Sequence, residues 1–190
     1  MRMALIHHAT LVPSKLDAIA AWLPTQEWSA RRDITGLEAV AAYRFDDPDG
    51  EVGIETHLLH SASGIVFQVP LTYRSAPLPG ADAYLVATMQ HSVLGTRWVY
   101  DGVRDPVYVE VTTAAIVEAA GQAELVVQTA DGSRSVREST TQVRGSGGSA
   151  LTSPHLQVRR VIDATPTELP HLLGTWPGQD EPIVLVELRN

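Results

Sequence analysis

Glu55, His57 and His91 are the side chains of this sequence whose types suit a mononuclear metal site, since carboxylate and imidazole are ordinary ligands of a divalent transition ion. Glu55 and His57 are two apart, so on a strand they share one face. His91 completes the set only if its segment forms the neighbouring strand. The same alternation has a simpler reading, in which the face of Glu55 and His57 is solvated and its polar residues carry no further role. His7 and His8 are adjacent, so on a strand they point to opposite sides and cannot hold one ion together.

Other chemistries find less. A Gly-x-Ser-x-Gly elbow is missing, and Gly145-Ser-Gly-Gly-Ser149 lacks the strand-turn-helix setting that a nucleophile needs, so it reads as a flexible joint. Asp46, Asp47 and Asp49 fall within a Pro- and Gly-containing turn, where aspartate caps the backbone. Asp101 and Asp105 stand four apart at a helix start and read as caps on its dipole. A Walker loop and a dinucleotide fingerprint are both missing. Trp22, Trp28, Trp98, Tyr100 and Trp176 offer rings for stacking on a sugar, with Trp98 and Tyr100 sharing strand parity, but such rings also serve as ordinary core. No catalytic, cofactor-binding or metal-ligating residue is assigned on these patterns, and no cofactor is expected.

These residues are held by elements whose signals are clearer. Ser14 caps a helix, with Asp17 as the acidic half of a capping box and Leu16, Ile19, Ala20 and Leu23 forming one stripe; Pro24 ends it. Leu37 to Phe45 alternates, the Asp46–Gly50 stretch turns, and Val52 to Leu58 alternates again. A third run places Ile65, Phe67, Val69, Leu71 and Tyr73 on one face, with Pro70 expected at an edge or bulge. A fourth strand is expected over Tyr84 to His91. Asp105-Pro106 opens a second helix through Ala119. Gln122–Thr129 and Ser133–Val143 flank Asp131-Gly132 as a hairpin whose second arm is a polar edge. Strands are expected over Leu156–Ile162 and Ile183–Leu188, with a short helix near Thr167–Leu173 between them. The fold class is α+β: a curved antiparallel β-sheet with helices packed on one face, one face buried, and a small β-rich C-terminal extension. Residues 1–144 form the main domain and residues 145–190 the tail, packed on the same core.

Composition bounds the function. The 190 residues, 44% apolar, suffice for one substantial core. A net charge of −8 disfavours nucleic acid and anionic membrane as partners. There is no cysteine, which excludes disulfides, thiolate metal sites and cysteine nucleophiles. The opening apolar run breaks at His7, too early for a signal segment, and no run approaches the ~20 apolar residues of a membrane span. A soluble, cytoplasmic protein is expected.

Three segments carry a resemblance. Leu23-Pro-Thr-Gln-Glu-Trp28-Ser-Ala-Arg-Arg32, Phe67-Gln-Val-Pro-Leu-Thr-Tyr73 and Val99-Tyr-Asp101-Gly-Val-Arg-Asp105-Pro106 resemble, in that order, the N-terminal cap of bacterial maltokinases, a cap also fused to some trehalose synthases. The whole is similar to short stand-alone cap-like proteins. The tail resembles the first strands of a kinase small lobe, where a strand reads Leu-Lys-hydrophobic-x-Arg-Arg. Here the segment is Leu156-Gln-Val-Arg-Arg160, so Gln157 stands where the resemblance implies a lysine that steadies nucleotide phosphates. A neutral amide cannot replace that cation, and the catalytic loop and metal-binding carboxylates the resemblance implies lie beyond Asn190. The resemblance therefore implies a non-catalytic cap-like module. Its partner would be a separate kinase or another α-glucan or trehalose-pathway enzyme. Two alternatives stand beside it: a sugar or sugar-phosphate binding protein or small enzyme using the concave sheet face around Glu55, His57 and His91, and a homodimer paired through exposed strands.

Overall fold

The computed structural model describes residues 3–7, 10–128, 134–137, 139–149 and 154–190. Thirteen strands and two α-helices are found among them. The strands are β1 (Met3–His7), β2 (Leu11–Val12), β3 (Glu38–Phe45), β4 (Gly53–His60), β5 (Val66–Arg74), β6 (Leu85–His91), β7 (Gly95–Asp101), β8 (Glu124–Gln128), β9 (Arg134–Arg137), β10 (Gln142–Gly145), β11 (His155–Val158), β12 (His171–Trp176) and β13 (Gln179–Arg189). The helices are α1 (Lys15–Trp22) and α2 (Pro106–Val117).

Six strands make one antiparallel sheet in the order β2-β6-β7-β5-β4-β3. The expected α+β class and its antiparallel sheet are both present. The turn between β3 and β4 is built by Asp47, whose carboxylate accepts from the backbone N–H groups of Asp49, Glu51 and Val52 at 2.8–3.1 Å. Gly50 supplies the positive φ of 70° that the turn needs. A bulge between Ala39 and Ala41 reverses the side-chain parity of β3. Leu37 therefore packs with α1, whereas Ala41, Tyr43 and Phe45 join the cluster around α2.

The meander is buried on both faces, where one buried face was expected. Phe67, Val69 and Leu71 pack with Ile19, Trp22 and Leu23 from α1. On the other side Tyr43, Ile54 and Leu58 pack with Tyr108, Val111, Ala115 and Ile116 from α2 and with a second sheet. Pro70 lies within β5 just beyond the last residue paired with β7 (Leu71 opposite Asp101), so its missing donor falls where that ladder stops.

The second sheet has the order β10-β12-β13-β11. Thr167–Leu173 is not a helix: Pro170 bars a helical continuation, and β12 pairs with both β10 and β13. Ser133–Val143 is not a single arm either. Its first part, β9, pairs with β8 in a three-stranded sheet, and its last residues enter β10. The Asp131-Gly132 turn lies outside the described residues, as does His8. In that third sheet β1 runs parallel to β8, a pairing that no local pattern signals. Gly145 to Ser149 is not a loose joint: Gly145, Ser146 and Gly147 donate to the carbonyls of Ala120, His171 and Ile116. The expected boundary at 144/145 falls inside β10.

Candidate functional site

Glu55 is the centre of a buried polar cluster. The hairpin register sets Arg44 directly across from it, and Tyr73 and the first residue of α1, Lys15, close over it. Arg44 donates through Nε and Nη2 to Glu55 Oε1 at 3.2 and 3.1 Å. Glu55 Oε2 pairs with Lys15 Nζ, lies 3.2 Å from His57 Nε2, and accepts from the Tyr73 hydroxyl at 3.4 Å. His57 Nε2 is also 3.3 Å from that hydroxyl. Glu55 and His57 are 7% and 8% exposed, so the face expected to be solvated is buried. The reason is α1, which lies across it.

Burial pushes the Glu55 carboxyl up, but Arg44, His57 and Lys15 outweigh it and hold the group well below the usual carboxylate range. Burial lowers the Lys15 ammonium even though Glu55 favours its charge. Burial and the neighbouring Glu55 push the Tyr73 phenol well above its ordinary value. The result is an ionised carboxylate with both oxygens engaged beside a firmly protonated phenol. So weak a base suits ion pairing better than proton transfer near neutrality.

His91 does not join this cluster. Two strands, β7 and β5, separate β6 from β4, a sideways offset of roughly 14 Å at the usual strand spacing, and the register sets Leu85, six residues before His91, level with Ile54, the neighbour of Glu55. Its Nδ1 instead accepts from the N–H groups of Val93 and Leu94 at 3.2 and 3.0 Å, tying the β6–β7 turn. Among the described residues no group of three or more His, Asp or Glu is arranged to hold a metal ion.

The two aspartates at the start of α2 have different tasks. Asp105 caps the helix, accepting from Val107 N–H at 3.0 Å, and also takes a two-pronged contact from Arg74 at 2.7 and 2.6 Å. Asp101 is no cap; its Oδ2 pairs with Arg160 Nη2. The Arg160 guanidinium also lies 4.9 Å from the ring centre of Trp28. Tyr100 is buried, with its hydroxyl accepting from Leu78 N–H at 2.9 Å, so it lines no groove with Trp98. Gln157 is exposed on β11 opposite Glu187. The Glu187 carboxylate is gripped by Arg159 and Arg189, each at 2.6 Å. A cleft of about 320 Å³ is lined by Thr140, Thr175, Trp176, Pro177 and Asp180, none of which could pair with a phosphate as a cation.

Two features of this geometry coincide with the segments that carried the resemblance: Trp28 beneath Arg160, and the Val99–Pro106 passage that supplies both Asp101 and the cap of α2. Residues 22–105 match the family model of the maltokinase N-terminal cap domain. The expected likeness to that cap holds over this stretch, slightly under half the chain. Comparison with curated proteins yields no match. Among the described residues no helix is long and apolar enough to cross a membrane.

Sequence reasoning missed Lys15, Arg44 and Tyr73 around Glu55, and Arg160 on Trp28. Arg44 was within reach, because the Asp46–Gly50 turn sets the register that puts it across from Glu55. Lys15 and Arg160 arrive from distant segments and leave no local signal.

Proposed function

We propose that this chain is a non-catalytic, cytoplasmic cap-like module that acts by contact with a protein partner in maltose, α-glucan or trehalose metabolism. The observation that carries this reading is the match of residues 22–105 to the maltokinase cap domain. Two features support it. Gln157, exposed on β11, leaves a neutral amide where the lobe that the tail resembles has its phosphate-steadying lysine. β9 stands at the rim of its sheet with Val136 61% exposed, and an open strand edge is a ready template for pairing with another chain.

The sugar or sugar-phosphate reading centred on Glu55 and His57 has less support, since both oxygens of Glu55 are engaged by the chain's own groups. Affinity capture with the full chain, followed by reconstitution from purified components and light scattering, tests the proposal. A discrete complex with a kinase or an α-glucan or trehalose enzyme is expected. A lone monomer or homodimer that binds no such enzyme contradicts it.

A further inference from the structure

The cleft at the tip of the β12–β13 hairpin is lined by polar groups with no bonding partner among the described residues. Trp176 ends β12, Pro177 and Gly178 (φ 87°) make the turn, and Trp176 pairs with Gln179 at the start of β13. The β10–β12 register, Gln142 opposite Thr175, brings the segment before β10 alongside this hairpin and delivers Thr140. The resulting volume of about 320 Å³ is at the small end of ligand-sized sites. Asp180, exposed on β13, makes no hydrogen bond or ion pair among the described residues, and the side chains of Thr140 and Thr175 make no hydrogen bond there either. Trp176 is only 6% exposed, its ring packed into the core cluster around α2. Its indole N–H donates to no described residue, yet it is not among the polar atoms shut off from solvent, so it opens into the cleft that the ring lines.

The chemistry of this set narrows what it can hold. Trp176 only donates, Asp180 only accepts, and the two hydroxyls do either. An anion would face the Asp180 carboxylate, with no cation among the lining residues to offset it. A cation would meet the indole N–H at the positive edge of the ring, because the negative ring face is sunk in the core. A neutral molecule rich in hydroxyls satisfies every member, since each hydroxyl both donates and accepts. We propose that this cleft is a binding site for a neutral sugar, whose hydroxyls donate to Asp180 and one of whose oxygens accepts from the Trp176 indole. Trp176 then serves through its N–H and not as a stacking face. Asp180 is the sole carboxylate lining the cleft among the described residues, whereas glycosidic cleavage ordinarily takes two. The site therefore holds a sugar without turning it over, through groups other than Glu55 and His57.

Titration of the nitrogen-15-labelled full chain with glucose, maltose and trehalose, followed through the assigned tryptophan indole signals, tests this directly. At least one of these sugars should move the Trp176 signal in a saturable way while Trp22, Trp28 and Trp98 stay in place. A Kd of roughly 1 mM is expected, as few polar contacts on an open site allow. Asp180→Asn keeps the fold, since the carboxylate holds no other described group, and should weaken that binding about tenfold or more. A phosphorylated glucose should bind more weakly than glucose itself. The proposal is overturned by a Trp176 signal that none of the three sugars moves, or by a shift that Asp180→Asn leaves unchanged. Tighter binding of the phosphorylated sugar, or of choline chloride, overturns it as well. The titration uses the chain alone, so its outcome stands whether or not the chain contacts a protein partner.

Discussion

Replacing Glu55 by Gln keeps its volume while removing the charge that Lys15 and Arg44 share. Leaving two cations without their carboxylate should lower the unfolding free energy by about 2–4 kcal/mol, read from urea denaturation. The pH dependence has a definite sign. The folded-state carboxyl of Glu55 is depressed, so its contribution is complete above the unfolded value of roughly 4.3 and is lost as pH falls toward the folded value. Wild-type stability should therefore decline more steeply below about pH 4.5 than that of Glu55→Gln; parallel acid limbs would contradict the assignment. Glu55 also shows what a strand pattern can and cannot tell. The shared face with His57 and the pairing with Arg44 follow from alternation and turn length. The burial of that face does not, because it depends on where α1 lands across the fifteen-residue connection, residues 23–37, that leads from it to β3.

At the scale of elements, Gly145 and Gly174 make a paired test. A Cβ on Gly145 would sit 2.1 Å from the Ala115 carbonyl oxygen and 2.7 Å from the Ile116 backbone, which cannot swing aside. A Cβ on Gly174 would meet the Leu185 side chain at 2.5 Å, which can rotate. Gly145→Ala should cost about 3 kcal/mol or more and Gly174→Ala clearly less, both measured by thermal and urea unfolding; the reverse order would refute this packing of β10 against α2. Asp105→Ala removes the cap of α2 and strands Arg74, and should cost about 2–3 kcal/mol. Local chemistry announces much of this level: Ser14 accepts from Asp17 N–H as the capping pattern requires, Asp105-Pro106 opens α2, and the Asp46–Gly50 turn joins β3 to β4. What escaped was nonlocal. β12 is a strand because β10 and β13 flank it, and Gly145 looks like linker glycine until its neighbours from α2 are in place.

At the scale of the molecule, Gln68 is the fastener between the two larger sheets. Fully buried on β5, it donates to the carbonyls of Leu185 and Arg159 at 2.8 and 3.2 Å and accepts from the Tyr43 hydroxyl at 3.2 Å. Nothing in an alternating strand marks a glutamine on a buried face as a tie to residues over ninety positions away. Gln68→Leu should lower stability by about 1–3 kcal/mol while leaving a single transition, with near-ultraviolet and far-ultraviolet signals melting together. Two separated transitions would mean that the sheets are held independently. The same tie lies beside Arg160, so the tail reaches the matched cap region through Gln68, Asp101 and Trp28 at once. The proposed role adds a further claim, that the chain acts by contact and not by catalysis. The most direct measurement of that claim is incubation of the purified full chain with ATP and maltose while following nucleotide and sugar phosphates by phosphorus-31 NMR. The account predicts no conversion above the protein-free rate, and sustained formation of ADP and a phosphorylated sugar without any added protein would contradict it.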